Sequence, residues 1–165
     1  MVKFSNIVII LSIIITLFTN GCYSKPPESQ LKGISGDDWV YTDSDVFETQ
    51  YYNPNSINID KPNKIINVLI KIVYTNMGKN RLLRLLQTSK AQKVKVNKYL
   101  DLKYSIILYS IDYKNWKYGF TELTFYSNAG VLDKENSKIE WMDIKPNTMM
   151  ELLVYKILKD NNIQR

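Results

Sequence analysis

The segment from Ile65 to Thr75 sets the strongest constraint on the fold of this chain. Ile66, Val68, Ile70, Ile72 and Tyr74 recur at period two, so in a strand they share one face. The opposite face carries Asn67, Leu69, Lys71 and Val73 and is only partly apolar. A strand of this kind belongs in an antiparallel sheet with one packed face and one partly wet face. The packed face then needs a covering layer.

The C-terminal end supplies that layer. Thr148 and Glu151 form a T-x-x-E capping signal just after Pro146. Met150, Leu153, Val154, Ile157 and Leu158 follow at i, i+3, i+4, i+7 and i+8 as one apolar stripe. Glu151, Lys156, Lys159 and Asp160 take the other side. The expected class is α+β: a single antiparallel β-sheet of about six strands packed against a C-terminal α-helix. The remaining strands are expected at Trp39-Val40-Tyr41, Phe47 to Tyr52, Tyr104 to Asp112 and Trp116 to Tyr126, the last two as a hairpin turning at Tyr113-Lys114-Asn115. Shorter extended pieces are expected at Ile57 to Ile59, Val131-Leu132 and Ile139 to Ile144. Asn53-Pro54-Asn55 and Ser127 to Gly130 read as turns.

The first 21 residues read as a sorting signal. Lys3 supplies the positive end, and Ile7 to Phe18 is an apolar run of 12 residues. A bilayer-spanning helix needs roughly 20, so this run suits a signal peptide. It ends in Thr19-Asn20-Gly21-Cys22, and Gly before Cys at this place resembles the lipobox of bacterial lipoproteins. Thr19 stands where Leu is usual, with Leu17 two residues further back. On this reading Cys22 is the lipidation site, and its acyl chains anchor the protein to a membrane. With the single Cys of the sequence so used, no thiol remains for a disulfide. Residues 22–36 form a polar linker containing Pro26-Pro27, Gly33 and Gly36, and the folded domain occupies residues 37–161. The expected location is the cell envelope, lipid-anchored at the outer membrane on its periplasmic side or at the cell surface.

The sequence contains no His. That excludes a histidine general base, a Ser-His-Asp triad and a Cys-His nucleophile. Zinc sites built from His and Cys are excluded as well. No spacing among the carboxylates, Lys, Tyr and hydroxyls forms a catalytic arrangement, so the expectation is a non-enzyme with no catalytic residue, metal or cofactor. Asp43-Ser44-Asp45 lacks the following acid, Gly and distal Glu of a calcium loop and reads as turn chemistry. Glu122, within a strand, reads as part of a wet face. Tyr51, Tyr52, Trp116 and Tyr118 are candidates for an exposed aromatic patch, although strand aromatics more often pack inside.

Charge is the remaining functional signal. Residues 22–60 hold 7 acids and 2 bases, residues 61–100 hold 10 bases and no acid, and residues 101–165 hold 9 of each. The dense part comprises Lys79, Arg81, Arg84, Lys90, Lys93, Lys95 and Lys98. Asn80 is a candidate cap for a short helix carrying Leu82, Leu83, Leu85 and Leu86. Val94 and Val96 alternate with lysines as a protected edge strand would. The functional reading is a cationic surface for anionic partners such as anionic polysaccharide, acidic proteins or lipid headgroups; the bland one is a solvated face with leucines beneath it. No nucleic-acid-binding motif is present.

Taken in order, several pieces resemble the surface-adhesin protein E-like domain of Gram-negative bacterial lipoproteins. They are Asp38 to Tyr41, Tyr51-Tyr52-Asn53-Pro54-Asn55-Ser56-Ile57, the strand from Lys64 to Tyr74, Tyr109 to Tyr118, and Tyr126 to Leu132. The last is Trp141 to Thr148 with Glu151, a W-x-x-I-x-P-x-T-x-x-E pattern. The resemblance spans about residues 37–160. It implies a six-stranded antiparallel sheet with a C-terminal helix, leaves room for a homodimer, and implies a surface lipoprotein. Some members of that family bind host extracellular-matrix and plasma proteins. The family usually carries a Cys just after the Asp112 position and another near the end of the helix; Tyr113 and Leu158 stand there in this chain. The alternative is a periplasm-facing structural or inhibitor lipoprotein that binds another envelope protein.

Overall fold

A computed structural model of the chain describes residues 39–88 and 96–164. The sorting signal, Cys22, the linker and Lys90, Lys93 and Lys95 lie outside the described residues. Within them the elements run β1 (Val40–Ser44), β2 (Glu48–Tyr52), β3 (Asn58–Asp60), β4 (Ile65–Tyr74), α1 (Asn76–Thr88), β5 (Tyr104–Asp112), β6 (Lys117–Ser127), β7 (Gly130–Asn136), β8 (Met142–Asp143) and α2 (Met149–Asp160). Short 3₁₀ turns occupy Pro54–Ser56 and Val96–Tyr99.

The protein is α+β. Among the described residues its antiparallel sheet has eight strands, six of them in the order β1-β2-β4-β5-β6-β7. The two extra strands are short: β3 pairs with the start of β4, and β8 pairs with the start of β6. The hairpin of β5 and β6 forms as expected, with Asp112 Oδ1 accepting from the Lys114 and Asn115 amides at 3.1 and 2.8 Å. Trp116 belongs to this turn and not to the strand, at φ 58°. Gly130 takes φ 127° at the next turn, a conformation that glycine adopts without strain.

Two bulges decide which side chains face the core. Leu108 pairs with Glu122 and Tyr109 with Phe120, so Thr121 is the extra residue on β6. That insertion brings Tyr118 and Phe120 onto the same face as Leu123 and Phe125, and all four are buried. Ile66, Val68, Ile70 and Ile72 of β4 and Ile107, Tyr109 and Ile111 of β5 complete this packed face. A second bulge, at Thr42 between the Tyr41 and Asp43 pairings, adjusts β1 in the same way.

Helix α2 buries the whole expected stripe of Met150, Leu153, Val154, Ile157 and Leu158, and it lies against β1. Thr148 caps it, its Oγ1 accepting from the Glu151 amide at 3.3 Å, while Glu151 Oε2 accepts from the Asn147 amide at 2.8 Å. The second face of the sheet is half-buried, as the mixed character of β4 requires. Lys71 survives burial there because its ammonium lies 4.9 Å from the Tyr104 ring centroid and 5.3 Å from that of Trp39. Burial holds its pKa below the usual lysine value. Tyr113 and Leu158 are both buried in the core. Among the described residues no helix is long and apolar enough to cross a membrane.

Two local expectations are overturned. Asn80 does not cap the first helix, which already starts at Asn76; Asn80 lies within it. Val96 and Lys98 are not in an edge strand but in the 3₁₀ turn Val96–Tyr99, because Val96 and Tyr99 at i and i+3 both turn into the core.

Candidate functional site

The site begins with the turn between β1 and β2. Asp45 Oδ1 accepts from the Phe47 amide at 2.7 Å and the Glu48 amide at 2.8 Å. Of the triplet Asp43-Ser44-Asp45, which the sequence suggested as a turn, Asp45 alone shapes the turn, while Asp43 and Ser44 end β1 and pair with Gln50 and Thr49. The turn holds Phe47 against α1 and commits Glu48 to the interior, where it is 0% exposed.

Helix α1 is clamped onto this turn. The Thr75 amide donates to Phe47 O at 2.9 Å, and Thr75 Oγ1 donates to Val46 O at 2.8 Å and Phe47 O at 3.0 Å. The same hydroxyl accepts from the Gly78 amide at 3.1 Å, so Thr75 is the cap. Gly78 is obligatory here: a Cβ would stand 2.0 Å from Phe47 O. The helix buries Leu82, Leu83 and Leu86. Its other side presents Met77, Asn80, Arg81, Arg84 and Leu85, again at i, i+3, i+4, i+7 and i+8. With Phe47 these residues line an open groove of about 400 Å³.

The groove has an apolar floor and cationic flanks. The Arg81 guanidinium lies 4.6 Å from the Phe47 ring centroid. Arg84 is exposed, and Met77 is 60% exposed. Among the described residues no carboxylate lines the groove. Glu48 follows Phe47 in the chain and is buried, and among the described residues its carboxylate oxygens have no hydrogen-bond partner. Burial pushes its pKa up to about 8; the charge of Asp45 adds to the rise and Arg81 opposes it. Burial thus favours the protonated form of Glu48. The Gln50 amide and the Tyr109 hydroxyl are also buried without partners. Tyr74 Oη lies 3.0 Å from Ser105 Oγ, and the pKa of Tyr74 is raised by burial and by Glu48. Among the described residues no group of three or more acids, His or Cys is placed to hold a metal.

Of the seven basic residues singled out in the sequence, the structure brings Arg81 and Arg84 together. Lys79 turns away, its Nζ donating to Leu100 O at 3.2 Å. Lys98 forms an ion pair with Asp133, and its ammonium lies 5.2 Å from the Tyr99 ring centroid. Phe47, Met77 and Leu85 were not assigned to a site by the sequence, and neither was Glu48. The signal for Met77 and Leu85 is the helical spacing, which emerges only once α1 starts at Asn76. The proposed aromatic patch does not form: Tyr51, Tyr52 and Tyr118 are buried. Only Trp116 remains half-exposed, packing on Tyr155 of α2 at 5.1 Å between ring centroids. Glu122 sits on the wet face, paired with Lys134 at 3.0 Å.

No protein-family model matches the sequence, and no curated protein matches it.

Proposed function

We propose that this protein is a lipid-anchored lipoprotein of the cell envelope that works as a binding module. In this reading Cys22 carries the lipid, and the protein acts as a surface adhesin toward host matrix or plasma proteins or other anionic partners. Arg81 and Arg84 form the contact, with the lysines at 90, 93 and 95 extending the cationic segment. The observation that carries the reading is the convergence of Arg81 and Arg84 on one groove that, among the described residues, no carboxylate lines. The Gly21-Cys22 ending of the apolar run and the ordered resemblance to the protein E-like domain support the location.

The test is binding to immobilised matrix proteins and heparin as salt is raised. Wild type should bind and should lose affinity with ionic strength. Charge reversal at Arg81, Arg84 and Lys93 should abolish binding while the fold survives; equal binding by wild type and variant refutes the reading. Cys22→Ser should release the protein from membranes.

A periplasm-facing structural or inhibitor role is the second reading. The exposed side of α2 favours it, where Leu152 and Tyr155 are both more than a third exposed and Tyr155 stacks against Trp116. Protease treatment of intact cells separates the two, since an outward-facing protein is shaved and an inward-facing one is protected.

A further inference from the structure

We infer that the groove between Phe47 and α1 takes an acidic peptide segment carrying a bulky apolar side chain beside its carboxylates. This inference rests on the reading of the basic surface as a binding site and narrows its partner. Arg81 and Arg84 alone would suit any polyanion. The floor between them adds a demand that a bare sulfate or phosphate group does not meet: Phe47, Met77 and Leu85 are apolar. An aromatic or aliphatic side chain does, and the groove's volume of about 400 Å³ admits one.

Each lining residue has a distinct part in this arrangement. Arg81 is pre-oriented by its stack on Phe47, which limits the side-chain ordering that binding requires. Arg84 is exposed and presents a planar fork that matches a carboxylate in two hydrogen bonds. Met77 supplies a flexible, polarisable wall that adapts to the entering side chain. The Asn80 side chain offers both a donor and an acceptor to a peptide backbone. Charge complementarity selects acidic sequences, since the charged residues among those lining the groove are Arg81 and Arg84.

The experiment uses the full chain purified in detergent, with fluorescence anisotropy as readout. The probes are a labelled peptide in which Asp and Glu flank Phe and Leu, the same peptide with Phe and Leu replaced by Ser, heparin oligosaccharide, and phosphatidylglycerol vesicles. The apolar-containing peptide should bind about tenfold or more tightly than its Ser counterpart. Arg84→Glu and Met77→Asp should each weaken it by about tenfold; both sites are exposed, and circular dichroism checks that both variants fold. Equal affinity for the two peptides, or preference for heparin or vesicles with Arg84 still required, overturns this inference and leaves the basic-surface reading standing. Failure of wild type to bind any of the four probes overturns both.

Discussion

Arg81 stacks its guanidinium on the Phe47 ring, 4.6 Å from the centroid, directly over the point where the chain turns Glu48 inward. The aromatic ring that holds the cation and the acid held inside are thus consecutive residues, Phe47 and Glu48. Burial favours the protonated form of Glu48; the charge of Asp45 adds to that and Arg81 opposes it.

The protonation of Glu48 makes stability depend on pH with a definite sign. The unfolded chain releases this proton near the ordinary value of 4.5, and the folded chain keeps it to about 8. Its contribution is fully present below pH 4.5 and is lost as pH rises through that window. Glu48→Gln keeps the shape and removes the proton, so the variant should gain on wild type steadily from pH 5 to pH 8. Urea denaturation midpoints across this range measure the gap. Parallel curves for the two proteins would show that Glu48 ionises freely in the fold.

Gly78 separates helix propensity from docking. In an isolated helix Gly→Ala gains about 1 kcal/mol. Here the added Cβ would lie 2.0 Å from the Phe47 carbonyl oxygen, a backbone atom that cannot swing aside. Gly78→Ala should therefore destabilise the protein by about 1–3 kcal/mol, because α1 must lift from the turn. Thermal unfolding gives the sign, and a raised midpoint would contradict the clamp described above.

How much of this the sequence reveals depends on how local each signal is. The faces of β4 and the stripe of α2 are legible because alternation and helical spacing are carried by adjacent residues, and Thr148 with Glu151 marks the helix start unaided. The start of α1 is not legible. Asn76, Gly78 and Asn80 are poor helix formers, and the helix begins there because Thr75 and Gly78 dock on a turn almost thirty residues earlier. Glu48 is hidden for a related reason. In Phe47-Glu48-Thr49-Gln50-Tyr51-Tyr52 both alternating sets mix polar and aromatic residues, so period two cannot say which faces the core. The structure buries the whole of β2 and places Glu48 opposite Tyr74 and Gln50 opposite Ile72. The groove inherits both difficulties, since it needs the register of α1 and the direction of Phe47 together.

The two arginines and Lys98 should behave differently despite sharing one basic segment. Lys98 is ion-paired with Asp133, which also accepts from the Tyr99 hydroxyl at 2.6 Å beneath it. Its charge is already compensated, whereas Arg84 faces solvent. Lys98→Gln should leave binding of the acidic peptide unchanged and lower stability by about 1 kcal/mol. Arg84→Glu should do the reverse. Anisotropy and urea denaturation on the same two variants check the pair, and equal loss of binding would mean that only net charge matters.

The attachment of α2 can be tested by two leucines that are neighbours in sequence. Leu153 is fully buried within the apolar stripe, while Leu152 is more than a third exposed on the outer side. Truncating Leu153 to Ala removes buried methyl groups and leaves a cavity, at a cost of about 2–5 kcal/mol. Leu152→Ala should stay within about 0.5 kcal/mol, as surface changes away from special features do. Between them falls Thr148→Ala, which deletes the acceptor for the Glu151 amide and should cost about 1 kcal/mol. The ranking Leu153, Thr148, Leu152 from urea unfolding follows from one helix phase, with Leu153 against the sheet. A reversal of the two leucines would place the other side of α2 on the core and expose the stripe that closes it.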